Sequence, residues 1–538
     1  MRRLLPLTVL LTLNTAPAAT LADQLPSGAL LTVETHEAGG ALGRLAGLAG
    51  RVMKAVLGEE ADHAVSGIAE VLKGSVGKEA ALGVFTVGQA GGTFAPHVLG
   101  VSRVDDLSTE LFRSMLPSGS KGARVGRYTF ARQGDMYAGL SGGLVYFSTD
   151  KTLLMQTLGR LSGKAAPRLM DSAAYTTPTR ATGPQEIRLF LNFSAAAKVV
   201  RAELAQLALP RLFSPLVDAL DTLGQYAGGF ATTPSGLNTA SAHAVNAQGK
   251  DQPLARILRW RTDFHVQEVI PASAESVQVK ACSPESGAYL GRWLSRIDLI
   301  DPVGFLTDSQ LASHLERSGR YLGSECAQVG LAGSNRASYS GENPLAVVAS
   351  TVSYQRVTDR AAAEAHLPEY ASSVNSTLAD LSAQLRGILS RAAREEGRRD
   401  LMDEQSLKTL DALGHMKMVY AFRGDYLVTA FSEQALQAAL AQSPVLAQDA
   451  AFRAAALPVS GSGWTYVRNL PDVTPEELRG VMTAGLPQDM ANGGEVTDIF
   501  GAVAPVLADL INRYDGQTGW SDVKGDLVLS KGQIRYRW

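Results

Sequence analysis

Two distant stretches of this chain follow one pattern. Gly143 to Leu158 (GLVYFSTDKTLLMQTL) and Gly424 to Leu440 (GDYLVTAFSEQALQAAL) each read as a short apolar strand, a Ser or Thr with a following acid, and an abrupt helix. Other landmarks recur in the same order. VIPASAESVQVKAC (Val269 to Cys282) echoes LPSGALLTVET, Ser432-Glu433 echoes Thr149-Asp150, and Asp449 to Phe452 echoes Ser172 to Tyr175. The step from Tyr175 to Phe452 equals the step from Asn192 to Asn469, and Pro505-Val506-Leu507 echoes Pro215-Leu216-Val217. Ordered landmarks of this kind indicate an internal duplication.

The expected fold class is therefore α+β: two tandem duplicated domains, each a mainly antiparallel sheet with helices packed on one face. ALGVFTVG (Ala81 to Gly88), HVLGVSRV (His97 to Val104) and IRLFLNF (Ile187 to Phe193) read as strands, and a helix starts at Asp105-Asp106. Residues 23–246 form the first expected repeat, 247–262 a linker, and 263–538 the second. The linker contains ARILRWR, which suits a short packed helix. The second repeat adds a long helix near 369–396. Its Val374, Leu378, Leu381, Leu385, Ile388 and Ala392 make a heptad-like seam, packed on its own sheet or presented to another chain.

Residues 1–22 have the pattern of a secretory signal peptide. Arg2 and Arg3 precede the apolar run Leu4 to Leu13, and Ala16-Pro17-Ala18 or Thr20-Leu21-Ala22 offers a cleavage site. Ten apolar residues are too few to span a bilayer. Without this segment 48 basic residues face 52 acidic ones, which disfavours nucleic-acid binding. The expected setting is the periplasm or cell envelope of a bacterium, with no integral membrane segment after signal cleavage. In such an oxidising compartment the two cysteines, Cys282 and Cys326, are a possible disulfide, the alternative being two buried thiols.

The LP or IP dipeptide before a first strand, the strand-Ser/Thr-acid-helix centre and the small-Ala-Ala-aromatic turn resemble a bacterial family of exported proteins. That family is known only as a domain of unknown function. The resemblance implies an envelope or periplasmic location and brings no catalytic residues with it.

Chemical motifs are sparse. Gly139-Leu140-Ser141-Gly142-Gly143 has the G-x-S-x-G form of a nucleophile elbow, but a strand follows where a helix is required. Ala38-x-Gly40-x-x-Gly43 approaches a dinucleotide fingerprint but lacks its first glycine, and the spacing of Gly39, Gly43 and Gly47 suits close helix packing equally well. His36, His63, His97, His243, His265, His314, His366 and His415 are scattered without a metal-ligand spacing. No catalytic residue, cofactor or metal is expected. The leading functional expectation is a non-enzymatic binding or organising role with an unknown envelope protein. The alternatives are a carrier of lipid or another apolar ligand, and an unrecognised serine hydrolase using Ser141.

Overall fold

Alternation of buried and solvent-facing residues builds the strands, and Gly-rich turns join them into hairpins. The computed structural model describes residues 20–44, 47, 51, 74–88, 94–115, 122–206, 210–294, 310–333, 345–395, 404–441, 444–468, 472–484 and 494–538. Asn469 and most of the expected signal peptide lie outside these residues, as does the stretch 64–72, whose Val65, Ile68 and Leu72 stand at helical spacing and predict a helix.

The first ten strands are β1 (Leu31–His36), β2 (Glu79–Gly88), β3 (Phe94–Arg103), β4 (Ala123–Val125), β5 (Tyr128–Gln133), β6 (Met136–Ser141), β7 (Leu144–Ser148), β8 (Ile187–Asn192), β9 (Gln225–Thr233) and β10 (Gly236–Ala244). The next ten are β11 (Thr262–Asp263), β12 (Ser276–Ala281), β13 (Leu322–Gly330), β14 (Thr351–Val357), β15 (Val419–Arg423), β16 (Tyr426–Ala430), β17 (Ser460–Gly461), β18 (Gly463–Val467), β19 (Tyr514–Lys524) and β20 (Leu527–Tyr536). The fold is α+β.

Eighteen of these strands form one sheet. Its middle is the antiparallel pair β10–β20, from Gly236 opposite Arg535 to Ala244 opposite Leu527. Outward from that pair one arm runs β9, β8, β1, β2, β3, β7, β6. The other arm runs β19, β18, β12, β13, β14, β16, β15. The two arms use the same strand order, and β5 and β4 extend only the first. Two separate sheets were expected from the sequence. The terminal hairpins instead pair edge to edge, which satisfies backbone groups that an open edge would leave to solvent.

Each arm begins with a 3-10 turn, Ala22–Gln24 or Val266–Glu268, docked by the same backbone bonds. Leu169 N donates to Leu25 O, and Leu446 N donates to Ile270 O, both at 2.8 Å. Leu21 and Ala22 are 2% and 1% exposed in the first core. These two residues, the last of the expected signal segment, thus pack with the first arm.

The helices named below are α1 (Asp106–Met115), α2 (Lys151–Leu161), α3 (Ala173–Thr182), α4 (Phe193–Gln206), α5 (Pro210–Leu223), α6 (Gln252–Leu258), α7 (Glu285–Leu294), α8 (Leu311–Ser318), α9 (Arg360–Glu395), α10 (Glu404–His415) and α11 (Glu433–Leu440). The organising helix α2 is capped by Asp150, whose carboxylate accepts from Leu153 N at 2.7 Å. Thr149, which the Ser/Thr-acid-helix pattern offers as an alternative cap, accepts from Val98 N. Ser432 caps α11 by accepting from Ala435 N. Matching cap to cap pairs Asp150 with Ser432, one residue off the sequence echo.

Two cores form on one sheet face. Leu25, Phe85, Leu99, Tyr146, Leu154, Leu158, Tyr175 and Phe190 fill the first. Ile270, Val279, Val329, Tyr354, Val428, Leu436, Trp464 and Tyr466 are among those filling the second. Tyr175 packs edge-on against Phe190, and Phe452 against Tyr466, each with centroids 5.2 Å apart.

Helices were expected on one face only, and here the second arm departs. Leu427 and Val428 are consecutive in β16, so their side chains leave opposite faces, yet both are buried. Val428 faces α11, while Leu427 packs with Tyr321, Ala363 and Leu367 under the start of α9. Helix α9 starts at Arg360, nine residues before the expected start, and carries Pro368 inside it. Farther along, its Ser382 hydroxyl donates to Leu410 O of α10 at 2.6 Å, and Arg386 pairs with Asp411. A second helix of the same chain thus packs along α9, and Ile388 of the expected seam is 43% exposed. In the expected linker, α6 is capped by Asp251.

Candidate functional site

The face of the sheet away from the two main cores carries a broad concavity. A depression of about 480 Å³ crosses the junction of the arms and touches β9, β10, β20, β19, β18 and β12. Adjoining depressions of about 290 and 240 Å³ continue it over β13, β14 and β16. Strand alternation places Val277 and Val279 in the core and turns Gln278 and Lys280 the other way. By register, Thr465, Gln517, Ser521, Ser530, Thr239 and Ser241 share that face. Gly463, Gly519 and Gly532 keep the floor low. Tyr226 and Phe230 stand at one end, and Ser353, Gln355 and Thr429 at the other.

This lining can donate and accept many hydrogen bonds, and two lysines, Lys280 and Lys531, are among its residues. It differs from the apolar cavity expected of a lipid carrier. Sequence reading missed these residues. The available signal was the polar half of each alternation, in VQVK, AQVG, VSYQ and WTYV, where Gln, Ser and Thr stand in place of the usual surface charges.

The cysteines lie beside this trough. Cys282 follows β12, Cys326 is in β13, and the two are disulfide-bonded with Cα atoms 5.8 Å apart. Ser141 ends β6 in a two-glycine turn into β7, with φ of 60° and 71° at Gly142 and Gly143. Its hydroxyl meets Tyr146 OH at 3.0 Å and Thr129 N at 3.3 Å. No helix N-terminus follows to build an oxyanion site, and neither partner is a general base. Among the described residues, nothing lies within 4 Å of a β-carbon built on Gly43 or Gly47 to give them a role in close helix packing. That role belongs to Gly287 and Gly291 of α7, where a β-carbon would press on the carbonyl oxygens of Leu315 and Ala312 in α8.

Two buried polar groups serve the fold. Glu34 pairs with Arg188 at 3.1 Å and accepts from Tyr175 OH at 3.2 Å. Burial raises the Glu34 carboxyl above its usual range against the pull of Arg188. Glu325, fully buried, accepts from His265 N and Val266 N at 2.9 Å and from Tyr426 OH at 2.6 Å. Glu79 does the corresponding work in the first arm, accepting from Leu21 N and pairing with Arg103.

Two of the scattered histidines come together. His314 of α8 and His366 of α9 are 2% and 5% exposed, with His314 Nδ1 2.9 Å from His366 Nε2. Tyr321 OH lies 3.0 Å from His366 Nδ1, and Tyr370 stacks on the same ring at 5.9 Å. Glu369, one turn beyond His366, pairs with Arg317 at 2.9 Å. Burial lowers the affinity of both imidazoles for protons, with Arg317 adding to the effect and Glu369 opposing it.

The sequence matches no protein-family model and no curated protein. Among solved structures it is similar to crystal forms III and I of TP0453. Each is 13% identical, with TM-scores of 0.24 and 0.23, covering 44% and 45% of this chain and 84% and 85% of that one. A likeness this remote bears on neither fold nor function. Among the described residues, no helix is long and apolar enough to cross a membrane.

Proposed function

We propose that this chain is an exported, non-enzymatic binding protein, made of two copies of one unit, that holds a neutral hydroxyl-rich ligand in the trough across its sheet. The signal-like N-terminus supports an envelope location. The matched strand order and the matched docking of the two 3-10 turns support duplication. One observation carries the ligand class: the trough floor is built from Ser, Thr and Gln over glycines, with Tyr226 and Phe230 at its end. Such a surface hydrogen-bonds hydroxyls without demanding a counter-charge, and aromatic rings cover the apolar faces of sugars. An oligosaccharide segment of the envelope fits this chemistry.

The test is isothermal titration of the full mature chain with a panel of neutral oligosaccharides, and with phospholipid vesicles as comparison. Binding of an oligosaccharide that falls at least tenfold in Gln278→Arg or Thr465→Arg supports the reading. Absence of any saccharide binding, indifference to both substitutions, or uptake of lipid alone removes it.

A further inference from the structure

We propose that His314, His366 and Glu369 form a binding site for a divalent transition metal of the zinc type, joining α8 to α9. One ligand atom from each residue lies within 4.8 Å of the others. The two imidazole nitrogens, 2.9 Å apart, approach the ~3.3 Å spacing of two nitrogens on a tetrahedral zinc with bonds of ~2.0–2.1 Å. Two imidazoles and a carboxylate with one position left for water are a donor set that zinc accepts.

The surroundings support this geometry. Tyr321 OH, placed to accept from His366 Nδ1–H, leaves Nε2 with its lone pair toward His314. Such an outer partner fixes both the tautomer and the orientation of a metal-binding ring. Tyr370 stacks on His366 and lies 5.7 Å from His314, further restricting both rings. When metal enters, the proton on His314 Nδ1 moves to Nε2 of the same ring, so both facing nitrogens present lone pairs. Glu369 leaves Arg317 to complete the set. The Arg317 side chain is 42% exposed and can turn into water.

None of this rests on the class of the trough ligand, although Tyr321 and Tyr370 also line the depression of about 240 Å³ that adjoins the trough. The experiment is titration of chelator-stripped full-length mature protein with Zn2+ by calorimetry, and with Co2+ by absorption. One metal per chain and a tetrahedral Co2+ spectrum are expected. Glu369→Gln changes an exposed residue and should weaken binding at least tenfold while leaving the fold intact by circular dichroism. Tyr321→Phe should weaken it about tenfold at unchanged stoichiometry, and His415→Gln should leave it unchanged. The proposal is overturned if wild-type protein takes up no metal, or if Glu369→Gln and His366→Gln both bind as wild type.

Discussion

Replacing Glu325 by Ala should cost far more than replacing its first-arm counterpart Glu79. Glu325 is 0% exposed, and its two oxygens accept from three donors: His265 N, Val266 N and Tyr426 OH. Truncation removes both acceptor oxygens and leaves two backbone N–H groups, one of them part-buried, and a buried phenol without their partner. Each orphaned donor costs about 1–3 kcal/mol. Because relaxation is shared between neighbours, a total of about 3–5 kcal/mol is expected, the range for breaking a buried charge network. Glu79 accepts one backbone bond, and its other partner, Arg103, is 55% exposed. Glu79→Ala should therefore cost about 1–2 kcal/mol. Urea unfolding followed by tryptophan fluorescence measures both, with Trp464 buried in the affected core. A loss below about 1 kcal/mol for Glu325→Ala, or an equal loss for both variants, would refute the assignment of Glu325 as the anchor of the second 3-10 turn.

Asp150→Ala should lower stability by about 1 kcal/mol through loss of the α2 cap, read from the urea midpoint. Gly291→Ala should destabilise by about 1–3 kcal/mol by forcing α7 from α8, whereas Gly43→Ala should be neutral or slightly stabilising in thermal melts. Replacing Cys282 and Cys326 by Ser opens a loop spanning 44 residues and should cost about 4 kcal/mol, seen as a lower urea midpoint than that of oxidised protein. Stability should fall as pH drops below the ordinary imidazole value of 6.5, because buried His314 and His366 bind protons less readily than in the unfolded chain. Comparing urea midpoints at pH 7.5 and 5.5 in wild type and His366→Gln checks the sign: the variant should lose less.

Much of the candidate site was beyond sequence reading. His314 and His366 lie 52 residues apart, and their contact arises only when α8 and α9 cross over the far side of β16. Gln278, Thr465 and Ser530 look like ordinary outward strand positions. They become a lining only because β12, β18, β19 and β20 are neighbours in the sheet. A linear pattern records which residues face away from a core, but not what faces them.

The sequence alone determined the local elements: strand alternation, the α2 and α11 starts, the long helix and the shared order of landmarks. These depend on contacts a few residues apart, where periodicity and capping act. It did not determine that β10 and β20 would join the arms into one sheet, because any open edge offers the same backbone groups. Nor did it place helices on both faces of the second arm. Leu427 and Val428 are adjacent apolar residues, and only tertiary packing provides a separate partner for each. The trough is a property of that packing: it exists where two edges meet, and no single segment contains it.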